Sequence, residues 1–208
     1  MDGVTDLGLF IAAGLLLNIT PGPDLLYIAS RSAVQGKKAG VIAAIGIGTG
    51  CLVHVLAAAL GLSVILLSSS MLFTAVKYIG AAYLFYLGIT TLLSVRKKEQ
   101  QVAETPAMPL PVIFRQAALI NVLNPKVALF FLALLPQFVS STAEAPAAVF
   151  LFLGLVFAVN GTVVNIIFAL FASGISSKIQ ASTSVQRVLK SLAGALFCVF
   201  GIRLALVS

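Results

Sequence analysis

Of the chain's 208 residues, 60% are hydrophobic and only 9% charged, against about a quarter charged in a soluble globular domain. At roughly 20 apolar residues per transmembrane helix, the chain has room for a single membrane domain and no separate soluble module. The net charge of +7 does not signal nucleic acid, because most of the 13 basic residues sit in short gaps between apolar runs, as cytoplasmic loops do under the positive-inside rule.

The N-terminus carries Asp2 and Asp6 and no basic residue before Leu7. A cleavable signal peptide starts positive, so the first helix is expected to stay in the protein. Uncharged runs predict spans at roughly 5–29, 39–62, 71–94, 115–136, 147–172 and 188–207. The segment Ala39 to Val76 holds no Asp, Glu, Lys or Arg and is too long for one span, so it is divided near Ser68-Ser69-Ser70. Lys190 and Arg203 lie within the last span.

The gap after span one holds Arg31, Lys37 and Lys38, and the gap after span three holds Arg96, Lys97, Lys98 and Arg115. Lys178, Arg187 and Lys190 surround the start of span six, while Glu144 is the only charge in the remaining two gaps. Ten of the 13 basic residues therefore fall on one side, which is the expected cytoplasmic face, with both termini outside. Cys51 and Cys198 lie inside apolar runs and read as small buried residues rather than a disulfide or metal pair.

The chain repeats itself. Gly80-Ala81-Ala82-Tyr83-Leu84-Phe85-Tyr86-Leu87-Gly88-Ile89 resembles Gly194-Ala195-Leu196-Phe197-Cys198-Val199-Phe200-Gly201-Ile202 with one deletion, and Asn18-Ile19-Thr20-Pro21 resembles Asn121-Val122-Leu123-Asn124-Pro125 with one insertion. The first pair falls in spans three and six, the second in spans one and four. A three-span unit used twice points in opposite directions. The expected fold is thus all-α and polytopic, six transmembrane helices forming a 3+3 inverted repeat, an arrangement typical of secondary transporters. It is one transmembrane domain over 1–208, with halves of roughly 1–95 and 113–208 joined by a cytoplasmic loop.

Spans one and four are expected to be broken. Thr20-Pro21-Gly22-Pro23-Asp24 cannot continue an α-helix, because each proline lacks an N–H and clashes with the preceding turn. Asn124-Pro125-Lys126 is the counterpart in span four. In hydrocarbon such a break persists only inside protein or beside water, and a discontinuous helix in both halves marks a transporter's binding site. A charge follows each break, Asp24 in one half and Lys126 in the other. Facing one cavity, Lys126 attracts a substrate carboxylate, and Asp24 an ammonium group or a coupling proton. The plainer alternatives are that Asp24 complements a helix dipole behind Pro23, and that Lys126 snorkels or pairs with Asp24. Asn18, Asn121 and Asn124 bond either the interrupted backbone or a zwitterionic ligand.

His54, the only histidine, sits in the middle of span two. It either carries protons in an antiport cycle or donates to a carbonyl. Gly46-Ile47-Gly48-Thr49-Gly50 lacks the spacing of a dinucleotide fingerprint and reads as a surface for close helix approach. Asn160, Thr162 and Asn165 in span five line the cavity or join helices. Phe85, Phe130 and Phe131 are candidates for an apolar wall.

Together these residues resemble the LysE/RhtB group of bacterial amino-acid exporters over essentially the whole chain. The resemblance rests on Asn18 through Asp24, on Arg31, Gly36 and Ala39-Gly40, and on Gly80-Ala81-Ala82-Tyr83-Leu84 with Tyr86-Leu87-Gly88. It continues in Asn121 through Lys126, Phe130-Phe131-Leu132, Leu135-Pro136-Gln137-Phe138, Gly194-Ala195-Leu196 and Gly201-Ile202-Arg203-Leu204. It implies efflux of amino acids or close analogues across the bacterial inner membrane, driven by the proton-motive force. The homoserine, threonine and leucine type looks nearer than the basic amino-acid type.

The expected partners are an amino-acid substrate, protons and the lipid bilayer, with no nucleic acid, cofactor or metal; a homo-oligomer stays open. Asn18, Thr20, Pro21, Gly22, Pro23, Asp24, Asn121, Asn124, Pro125 and Lys126 are the candidate substrate site, and Asp24 and His54 the candidate proton carriers. A channel for a small solute is the alternative. An intramembrane enzyme is disfavoured by the single histidine and by the lack of an H-E-x-x-H or G-x-S-x-G motif.

Overall fold

The computed structural model describes residues 3–64, 70–94, 106–140 and 142–172, together with 191–192, 194–195, 197–199, 201–202 and 205–206. Among them the regular structure is helical, apart from one antiparallel bridge between Val4 and Val139. Helix α1 covers Leu7–Ile19 and stops where the sequence dictates. The ring of Pro21 pushes the residue before it out of the helical region, and Thr20 accordingly adopts φ −65, ψ 123. Pro23 then opens α2 at the one helical position that needs no N–H, and Asp24 occupies the first turn.

Helix α2, Pro23–Ala57, contains one non-helical residue, Gly36 at φ 78, ψ −175. Glycine alone adopts that left-handed geometry without strain. A Cβ built on Gly40 would lie 3.0 Å from the Ser32 Cβ, whereas residues eight apart in a straight helix are separated by about 12 Å. The chain therefore folds back at Gly36, giving α2 an N-terminal and a C-terminal arm. The C-terminal arm runs on through a π-helical stretch, Ala58–Leu62. The chain thus reverses within the expected gap between spans one and two, but Arg31, Lys37 and Lys38 are helical, because residues 30–35 include no proline and one glycine makes the whole turn.

Helix α3 is Ser70–Ser94, and α4, Leu110–Val122, is followed after Leu123 and Asn124 by α5, Pro125–Ala133. A 3-10 turn, Leu135–Phe138, and α6, Pro146–Ala172, complete the described elements. Asn124 is extended (φ −76, ψ 107) before Pro125, as Thr20 is before Pro21, so both expected breaks are present. By length and composition Pro23–Leu62 and Pro146–Ala172 suffice to cross a membrane, and the pair Leu110–Val122 with Pro125–Phe138, bent by 45°, adds a third span if counted as one. The 96–104 loop, Lys178, Arg187, Lys190, Arg203 and the division at Ser68-Ser69 lie outside the described residues, as does part of the expected sixth span.

Helix α2 packs chiefly on α4 and α6. A Cβ on Gly46 would stand 2.5 Å from the Phe114 oxygen and 2.8 Å from the Ala117 Cβ, and one on Gly50 would stand 3.0 Å from the Asn121 Cβ. The glycine run thus serves close helix approach. The repeated glycine segments also meet. A Cβ on Gly88 would lie 2.8 Å from the Gly194 oxygen, and one on Gly201 would lie 2.8 Å from the Ala81 oxygen. The start of each segment faces the end of the other, as in a contact across a two-fold axis.

Two sets of contacts tie down the ends of the broken first helix. Before α1, the Thr5 amide donates to the Phe138 oxygen (2.9 Å) and the Ser140 amide to the Gly3 oxygen (2.8 Å). Beyond the break, Arg31 Nη1 donates to the Pro106 oxygen (3.0 Å), Gln35 Nε2 to the Met108 oxygen (2.8 Å) and Tyr27 Oη to Gln116 Oε1 (3.0 Å). These pairings join segments that the charge pattern had assigned to the same side.

Candidate functional site

The two helix breaks hold one another. Asn121, in the last turn of α4, donates from Nδ2 to Asp24 Oδ2 at 2.9 Å. Both are deeply enclosed, Asp24 at 8% and Asn121 at 2% exposure. In return Lys126 donates from Nζ to the Leu17 oxygen at 3.2 Å and the Thr20 oxygen at 3.1 Å. Asn124 caps α5, its Oδ1 accepting the Lys126 amide at 3.0 Å, and so fixes where that side chain starts.

The electrostatics explain the crossing. Asp24 sits in the first turn of α2, at the positive end of the helix dipole, where an anion is stabilised. Lys126 sits in the first turn of α5, the wrong end for a cation. Its ammonium reaches instead the Leu17 and Thr20 carbonyls at the negative end of α1. Asp24 and Lys126 do not bond each other, since Asp24 Oδ1 is buried with no hydrogen-bond partner.

Between the breaks lies a cavity of about 20 Å³. Its polar lining is Asn18, Asp24, Asn121 and Lys126 with Thr162 and Asn165 from α6, and its apolar lining includes Leu25, Ile47, Cys51, Val127, Phe157 and Ala158. That space suits about one water molecule and is too small for an amino acid. Asn18 Nδ2, Asp24 Oδ1 and Asn121 Oδ1 are all buried without a partner. Each such orphan costs roughly 1–3 kcal/mol unless a water or another polar group in the cavity meets it.

Of the ten candidate site residues, Asn18, Asp24, Asn121 and Lys126 line the cavity. Thr20, Pro21, Gly22 and Pro23 form the first break, and Asn124 and Pro125 the second. His54 is not among the lining residues; its Nε2 lies 3.0 Å from the Asn121 oxygen, to which it donates. The proposed phenylalanine wall is corrected too. Phe130 and Phe131 belong to the buried core and Phe85 is exposed, while Phe157 of α6 faces the cavity. Sequence reading missed Tyr27, Gln35 and Gln116, whose only signal was polarity within or beside an apolar run. Among the described residues no three His, Cys, Asp or Glu side chains gather as for a metal, and Cys51 and Cys198 are free thiols.

A family model described as LysE type translocator matches residues 15–208. An uncharacterized membrane protein of Pseudomonas aeruginosa is 33% identical over 98% of this chain and 96% of its own length. The leucine efflux protein of Salmonella typhimurium is 28% identical over 98% of this chain and 96% of its own. The membrane protein YrhP of Bacillus subtilis is 27% identical over 95% of this chain and 97% of its own. No solved structure matches the chain.

Proposed function

The chain belongs to the LysE type translocator family, and on that premise we propose that it is a secondary transporter exporting small amino acids or close analogues from the bacterial cytoplasm. The observation that carries this reading is the pairing of unused polar atoms around one cavity. Asp24 Oδ1 and Asn121 Oδ1 are free acceptors and Asn18 Nδ2 is a free donor, while the Lys126 ammonium has three N–H groups and donates to two carbonyls, those of Leu17 and Thr20. A zwitterion fits that set, its ammonium on Asp24 and Asn121 and its carboxylate on Lys126 and Asn18. The apolar remainder of the lining then suits an aliphatic side chain, in keeping with relatives named leucine efflux protein.

A cavity of about 20 Å³ has to widen to admit such a solute. In our reading it does so by rocking the two halves of a 3+3 inverted repeat, opening to one face at a time. The six spans are α1 with the N-terminal arm of α2, the C-terminal arm of α2, α3, α4 with α5, α6, and the last span expected from the sequence at roughly 188–207. The crossed contact of Gly88 with Gly194 and Gly201 with Ala81 supports the repeat. Asp24 is the proposed proton carrier. Protonated from outside, it loses its hold on the substrate ammonium; deprotonated in the cytoplasm, it takes the next one. His54 acts at one remove, through the Asn121 carbonyl.

The test is uptake of a labelled amino-acid panel by proteoliposomes holding the purified protein, with and without a pH gradient. Saturable, gradient-driven accumulation of aliphatic amino acids is expected. Flux without saturation or counterflow would replace the transporter by a pore.

A further inference from the structure

At the C-terminal end of α1 the chain turns extended at Thr20, so the Thr20 oxygen lies beyond the last turn. The Leu17 oxygen accepts the Thr20 amide at 3.2 Å with a second lone pair to spare. Such an end carries partial negative charge and attracts a cation. The group that fills it is the Lys126 ammonium, 3.2 Å from the Leu17 oxygen and 3.1 Å from the Thr20 oxygen. Gly22 makes the room, since a Cβ there would stand 3.1 Å from Nζ and 3.6 Å from Cε. The Asp24 carboxylate lines the same cavity with Oδ1 unpartnered. Carbonyls at an unwound helix end bind Na⁺ in other transporters, and here the lysine that fills the place shares a cavity lining with a carboxylate.

We propose that this is an alkali-cation seat whose permanent occupant is the protein's own Lys126 ammonium, so that removing the lysine opens it to Na⁺ or K⁺. The seat exists whatever solute is carried, and it goes beyond the export function. Asp24 and Lys126 are the only formal charges on the cavity lining. Without the lysine, the carboxylate is a buried charge with no counter-charge, and either a metal cation or a proton has to neutralise it.

Purified full-length wild type and Lys126→Met would be unfolded by heat in detergent, at constant ionic strength, in NaCl, KCl or choline chloride. The variant's midpoint is expected to rise saturably by about 3 °C or more in Na⁺ or K⁺ over choline. The wild type is expected to move by less than about 1 °C. A variant indifferent to all three salts but stabilised by acid would show that a proton takes the place, and would overturn the seat. Saturable Na⁺ or K⁺ stabilisation of the wild type would overturn it as well. Should Lys126→Met not fold, Lys126→Gln also removes the ammonium while keeping a polar end. It is expected to show the same saturable cation response, and indifference there overturns the proposal. None of these readouts depends on transport, so they stand apart from the export reading.

Discussion

Asn121 joins two of the site's ionisable residues: its side chain holds the Asp24 carboxylate and its backbone oxygen receives His54. Replacing it with alanine removes the donor to Asp24 Oδ2, and with Oδ1 already unpartnered the carboxylate is left bare. Asn121→Ala is expected to lower stability by roughly 1–3 kcal/mol, read from thermal unfolding in detergent. Asp24→Asn is a different case, because it keeps the volume and discards only the charge. It is expected to fold near normally and to lose coupled transport by about tenfold or more, that is about 1.4 kcal/mol; wild-type accumulation in proteoliposomes would remove Asp24 from the mechanism. His54 divides the two readings the sequence left open. If the ring serves to hold the Asn121 carbonyl, His54→Gln keeps an N–H donor and leaves the pH profile of transport in place. A profile displaced by that substitution would return His54 to proton transfer.

At the scale of the helix, the glycines separate into those that let backbones meet and those that do not. A Cβ at Gly46 meets the Phe114 oxygen at 2.5 Å and the Ala117 Cβ at 2.8 Å, whereas one at Gly8 meets nothing within 4 Å. Gly46→Ala is therefore expected to destabilise by about 1–3 kcal/mol. Gly8→Ala is expected to be neutral or to stabilise by up to about 1 kcal/mol. Equal effects in thermal unfolding would mean that α2 and α4 are not in such close contact. The breaks were legible because proline chemistry is local: Pro21 and Pro125 act on the residue before them wherever they stand. The limits of α3 and α6 were legible for a similar reason, since one face of each run needs no partner to declare itself apolar. A reversal between spans one and two was legible as a gap between apolar runs. That Gly36 alone makes it was not, because a glycine among helix formers reads as part of a loop until its neighbours Ser32 and Gly40 are seen to touch. Nor was the crossing of Asn121 with Asp24 and of Lys126 with α1. Those contacts join residues about a hundred positions apart, and spacing along the chain carries no trace of them.

For the whole molecule, the two sets of end contacts are what the proposed rocking motion would have to break in turn. One set joins residues 27–35 to residues 106–116, from Tyr27 and Gln116 to Gln35 and Met108. The other joins the segment before α1 to the one after α5, through the Thr5 and Ser140 amides and the Val4–Val139 bridge. If transport needs each end to open once per cycle, locking either one stops it. An antiparallel bridge brings Cα atoms to about 4.5–5.5 Å, which lies within the span of a disulfide. Val4→Cys with Val139→Cys, in a background carrying Cys51→Ala and Cys198→Ala and shown to be active, is therefore expected to form that bond on oxidation. Transport should cease in the oxidised protein and return on reduction, with thermal stability unchanged or raised. A cross-linked protein that transports at the uncross-linked rate would mean that this end stays closed throughout, and that the solute leaves by a path the two halves do not open by rocking.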